Sequence, residues 1–119
     1  MLIDYLIGAV LAISGMLALL VFGVDIIRMN TAAKEHWQAQ SAMADFAGRH
    51  AIYHREPLTP GALCDEVEPQ WVAAWCQSPQ VTSLPNVCVS IASDASRIVM
   101  SWGLEGCAGS RALVASREL

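Results

Sequence analysis

No proline precedes Pro57 in this 119-residue chain, so nothing in the first half forces a helix to break. Charge is also scarce. Asp, Glu, Lys and Arg make up 15% of the residues, against about 25% in ordinary soluble domains. From Tyr5 to Val24 there is no charged residue at all over twenty positions, and Ser14 is the sole polar side chain besides the Tyr5 hydroxyl. The lack of a polar face excludes an amphipathic core helix there. Lys and Arg are missing before Arg28. A secretory signal peptide needs a basic stretch ahead of a shorter apolar run, so that reading fails as well. The net charge is −4 and the isoelectric point is near 5.1, without the basic footprint of a nucleic-acid binder. Phosphate-binding loops, G-x-G-x-x-G, G-x-S-x-G and H-E-x-x-H are all missing, which leaves no recognisable catalytic machinery.

What is present is an apolar run of bilayer length. Twenty residues at about 1.5 Å per residue span about 30 Å. Gly8, Gly15 and Gly23 punctuate the run near one helical face. Small residues there let helices approach closely, although glycine is also simply common in transmembrane helices. Beyond it, Asp25 to about Arg55 reads as an amphipathic continuation. Met29, Ala33, Trp37, Met43, Phe46, Ala47 and Tyr53 form the apolar stripe, and Asn30, Lys34, Glu35, Gln38, Ser41, Asp45 and Arg49 the polar face. Residues 1–27 are therefore expected to be an anchor helix and 28–119 a head, with its own helix over 28–55.

The rest of the head is turn-rich and then β-rich. Thr59-Pro60 has the form of a cap followed by proline at the first helical position, which predicts a short helix through Ala62, Leu63 and Val67. A second short helix follows Glu68-Pro69, with Trp71 and Trp75 at i, i+4, and Ser78-Pro79 ends it. Short helices are thus expected over 60–77. From 84 to 119 the pattern is that of strands: Val87–Ile91, a turn at Ser93–Ser96, Ile98–Trp102 with Ile98, Met100 and Trp102 on one face, a glycine-rich connection, and Arg111–Ala115. The predicted class is α+β, a long N-terminal helix whose second half packs on a small antiparallel sheet.

The cysteines, Cys64, Cys76, Cys88 and Cys107, all follow the anchor. Their even number and wide spacing, with no C-x-x-C pair, point to two disulfides and an oxidising compartment in preference to zinc. Three pairings are possible. Cys64–Cys76 with Cys88–Cys107 is preferred, the first requiring a bend at Glu68-Pro69, because twelve residues of straight helix would hold its cysteines about 18 Å apart. His50 and His54 sit at a metal-compatible i, i+4 spacing, but His36 lies about 21 Å away along the helix, so two solvated histidines are the simpler reading and no metal is expected. The cysteines place the head outside the cytoplasm, whereas Arg28 and Lys34 after the run would hold it inside. A mature chain whose basic leader has been removed reconciles the two. Asp4 is the polar residue of interest: a carboxylate at the edge of hydrocarbon marks either a functional position or the headgroup region.

Met1-Leu2-Ile3-Asp4 followed by a long apolar helix resembles the mature N-terminus of type IV pilins and pseudopilins. Ser83-Leu84-Pro85-Asn86-Val87 and Ile98-Val99-Met100-Ser101-Trp102 resemble the C-terminal part of V-type minor pilins, also called type IV pilus modification proteins. The acid of that family is usually a glutamate at the fifth mature position, and here it is an aspartate at the fourth. The proline that bends many major pilin helices is replaced by Gly23, which suits a minor pilin or pseudopilin better. The resemblance implies a filament subunit without enzymatic activity or cofactor. It implies a prepilin peptidase that removes a basic leader and methylates Met1. It further implies passage through the inner membrane with a periplasmic head, an inner-membrane assembly platform, and packing among other pilin subunits, with Asp4 neutralising a Met1 amine. The alternative is a single-pass, membrane-tethered periplasmic binding or assembly module.

Overall fold

The computed structural model describes residues 1–53, 58–65 and 68–119. By internal contact the chain divides into two units, Met1–Lys34 and Glu35–Leu119. The element order is α1 (Leu2–Ile52), β1 (Gly61–Leu63), α2 (Gln70–Cys76), α3 (Pro79–Thr82), β2 (Cys88–Ile91), β3 (Arg97–Trp102) and β4 (Leu113–Glu118). The α+β layout expected from the sequence is present: a long apolar N-terminal helix and a small antiparallel sheet.

The first unit is helical from Leu2 onward, and its large apolar side chains are exposed on every face. Leu6, Leu11, Met16, Leu20 and Ile27 all stand open. α1 is long and apolar enough to cross a membrane. Leucine, alanine and methionine are strong helix formers, and no proline interrupts them, so propensity and backbone hydrogen bonds define this stretch in place of packing.

The second unit has a core of its own. Ala39, Ala42, Met43 and Phe46 of α1 are buried in one cluster with Val72 and Trp75 of α2, Val81 of α3, and the inward residues of the sheet. The strands follow one another in the order β1-β2-β3-β4, each antiparallel to its neighbour. In β3 the alternation is clean: Ile98, Met100 and Trp102 are fully buried, while Val99 and Ser101 between them are only partly covered. Val89 and Ile91 from β2, Leu63 from β1 and Ala115 from β4 complete the inner face. The side-chain period of a strand is two, which puts these residues on the same side.

Several expectations need correction. The stripe on α1 does not run through Met29 and Trp37, which are both 72% exposed. The buried positions are Ala39, Ala42, Met43 and Phe46. The helix stops at Ile52, and the expected end at Arg55 lies outside the described residues. The helix predicted through Ala62 and Leu63 is instead strand β1, with Ala62 opposite Ser90 and Leu63 opposite Val89. Gly61 has φ +128°, a value no α-helix accepts, and sheet pairing gives these backbone groups the partners that one short turn would not. Val67 lies outside the described residues. Pro79 does more than end a helix, since it opens α3 behind Ser78 as a first-turn proline. The last strand lies later than Arg111–Ala115. Turns closed by Gly109 N–H to Gly106 O and Ala112 N–H to Gly109 O extend the connection as far as Ala112.

Candidate assembly terminus and disulfide-bonded head

α1 brings Met1 and Asp4 together. Residues three apart on a helix lie on neighbouring turns of one face, and the Met1 amine sits 3.8 Å from Asp4 Oδ2. Both groups are open to solvent, so the pair as it stands is a loose surface ion pair, of the kind that contributes little in water. Its meaning depends on the medium. In hydrocarbon or among other helices an unpaired charge is strongly disfavoured, and two opposite charges at this distance present a neutralised terminus. Around them Leu2, Ile3, Tyr5 and Leu6 are exposed. A Cβ added at Gly8, Gly15 or Gly23 would meet nothing within 4 Å, so within this chain these glycines are free of packing demands.

In the second unit the cysteines are joined as Cys64–Cys76 and Cys88–Cys107, with Cα–Cα distances of 5.6 and 5.7 Å. The first ties the end of β1 to the end of α2. The second ties the start of β2 to the connection that precedes β4. Cys64 has φ +71°, a left-handed conformation that β1 and the disulfide hold in place. Its backbone N–H donates to Glu68 Oε1 at 2.5 Å. Cys64, Glu68 and Cys76 lie close enough to resemble three metal ligands. Both sulfurs are consumed by the disulfide, however, and a disulfide sulfur is not a thiolate ligand. His54, the partner of His50 in the i, i+4 pair, lies outside the described residues. His50 instead sits beside an aromatic ring, its centroid 6.4 Å from that of Trp71.

Three polar connections in the head were not visible in the sequence. The fully buried Trp75 donates its indole N–H to the Ala42 carbonyl at 2.9 Å. The fully buried Trp102 donates to Glu35 Oε2 at 3.1 Å. Gln38 donates its side-chain amide to the Ser83 hydroxyl. The first two follow a general rule that buried indoles find acceptors, but the sequence does not say which. The β2–β3 turn was visible. Asp94 accepts the Ser96 backbone N–H at 3.1 Å and the Ser96 hydroxyl at 2.6 Å. The hydroxyl bond to Ser96, aided by the backbone one, holds the Asp94 carboxyl below its ordinary value.

Comparison of the chain with known protein families, with curated proteins and with solved structures finds no match.

Proposed function

We propose that this chain is a structural subunit of a type IV pilus-like filament, a minor pilin or pseudopilin. One observation carries the reading: an all-round apolar helix begins with an acid that faces the chain's own amine at 3.8 Å. A helix apolar on every side suits lipid first and the packed core of a filament afterwards. A terminus whose charges cancel suits both. The head supports the reading as a small α+β unit with two disulfides, the kind of domain that endures outside the cytoplasm. In this reading the partners are other pilin subunits, a prepilin peptidase and an inner-membrane assembly platform. The subunit resides in a bacterial inner membrane with a periplasmic head before it enters the filament. Asp4 serves as a registration device: its carboxylate exchanges the amine of its own chain for that of a neighbour as subunits dock.

Two measurements test this. Intact mass and N-terminal sequencing of the protein from its native cells should give a methylated Met1 as the first residue. An untrimmed upstream sequence favours the tethered periplasmic module instead, for which the bilayer-length helix is the supporting observation. Filaments sheared from cells expressing Asp4→Asn should contain much less of the subunit than wild-type filaments, with Asp4→Glu intermediate. Equal incorporation of Asp4→Asn would reduce Asp4 to a headgroup residue.

A further inference from the structure

One cleft of the head is unclaimed by the filament reading and does not depend on it. It has a volume of about 370 Å³ and is lined by Arg49, Tyr53, Gln70, Trp71 and Ala74. Its wall is an aromatic stack. Tyr53 lies nearly parallel to Trp71, with centroids 5.8 Å apart and planes 12° apart, and Phe46 supports Trp71 from the core at 5.3 Å. Tyr53 remains 50% exposed. The stack therefore presents a flat, part-apolar surface held on a rigid base. Its polar members are Arg49, the Tyr53 hydroxyl and the Gln70 amide. Arg49 is fixed in place by Asp45, which takes its Nε at 3.1 Å. That bond leaves the two terminal nitrogens of the guanidinium without an ion pair among the described residues.

We propose that this cleft binds a carboxylate-bearing sugar ring, of the uronic acid type. Three features select that chemistry. A flat aromatic surface takes the C–H face of a pyranose ring, as it would any ring of that size. A pre-oriented guanidinium whose terminal N–H groups have no ion pair among the described residues is suited to a carboxylate, which it grips through two parallel hydrogen bonds. The openness of the cleft and its Gln70 and Tyr53 donors favour a ring that carries hydroxyls over an apolar aromatic acid, which would require deeper burial.

The test uses the full chain, labelled with ¹⁵N, in a detergent without a sugar headgroup. Its four tryptophans supply four indole N–H signals, and Trp71→Phe identifies the one that belongs to Trp71. Titration with glucuronate to about 100 mM, the range of a weak single-ring ligand, should shift the Trp71 signal saturably. Glucose should bind about tenfold more weakly because it lacks the charge-assisted bonds. Arg49→Gln should lose a similar factor for glucuronate and nothing for glucose, with Arg49→Lys in between. The indole signals of Trp75 and Trp102 should stay in place in both variants, which shows that the core is intact. A Trp71 signal that does not move with glucuronate overturns the proposal. So does glucose binding as tightly as glucuronate, or an Arg49→Gln variant that binds glucuronate unchanged. Benzoate binding more tightly than glucuronate overturns the sugar assignment.

Discussion

The two units of this chain are both apolar, yet they use that property in opposite ways. In Met1–Lys34 the large side chains are exposed on all faces of α1. In Glu35–Leu119 Trp75, Trp102, Phe46, Met43, Ile98, Met100 and Val72 are closed off completely. The first unit has no interior, so its leucines and isoleucines contribute nothing to folding until lipid or other helices surround them. The second buries its apolar residues against one another and adds two disulfides. Hydrophobicity along a sequence therefore does not locate the core. What separates the units is pattern: uninterrupted apolar residues in one, and periods of 3.6 and two in the other. All four tryptophans fall in the second unit, so tryptophan fluorescence of the full chain in detergent reports that unit alone.

The largest contrast is expected from one truncation in each unit. Phe46 is fully buried and packs edge-on against Trp75, with centroids 4.9 Å apart. Phe46→Ala should lower the stability of the head by about 3–5 kcal/mol. Leu11 is 66% exposed, and Leu11→Ala should leave the fluorescence melting curve where it is. If the Phe46→Ala curve also stays in place, the helix does not belong to the head's core, and the contrast drawn above collapses.

Next come the disulfides. Each closes a short loop, with a sequence separation of 12 for Cys64–Cys76 and 19 for Cys88–Cys107. Loops of such similar length should yield similar gains, about 2–4 kcal/mol each. Replacing either pair with alanine should lower the urea midpoint of the fluorescence transition by a comparable amount. The helical signal of the first unit should survive reduction. Peptide mapping without reduction should recover both cross-links, and four free thiols would remove the claim together with the exported location.

A smaller effect is expected at Glu35. Its carboxylate accepts the indole N–H of Trp102, which has no exposed surface. Glu35→Ala leaves that donor without a partner, at a cost of about 1–3 kcal/mol, while Glu35→Gln keeps an acceptor and should recover most of it. Equal losses from both substitutions would show that the charge, not the hydrogen bond, supports Trp102.

Much of this arrangement could be read from the sequence, and the errors have common causes. The apolar helix, the strands around Val89 and Met100, and the Asp94 turn were legible because each rests on local pattern or local turn chemistry. Trp37 and Met29 mislead because a large apolar residue on a helix looks buried whichever way it faces. Ala39 and Ala42 were missed because a small residue carries almost no signal of burial. β1 is not legible as a strand because three residues have no period, and their pairing with Ser90 and Val89 is settled far away in sequence. The end of β4 is hidden in the sequence because Ser116, Arg117 and Glu118 belong to an edge strand that is mostly exposed, so polar residues there are no evidence against a strand. The Met1–Asp4 proximity follows from helical spacing alone. The cleft at Tyr53 and Trp71 does not, because it needs α1 and α2 to meet.

The smallest expected effect lies in the β2–β3 turn, and it sharpens the comparison by being confined to the head. Asp94 is held by the Ser96 hydroxyl and backbone N–H, which favour its charged form. Its carboxyl in the folded protein therefore titrates below the ordinary 3.8, whereas in the unfolded chain it returns to that value. Above 3.8 both states are ionised and the contribution to stability is complete. As pH falls below that value the unfolded state takes up the proton first, and the contribution declines until the folded carboxyl is protonated as well. Asp94→Ala removes this dependence, so the difference in urea midpoint between wild type and variant should be constant near neutrality and shrink under acid. Because Asp94 is fully exposed, the difference is small and is best read as a trend between about pH 6 and about pH 2.5. A gap that stays the same across that range would mean that Ser96 steadies the turn through its geometry, with no preference for the charged carboxylate.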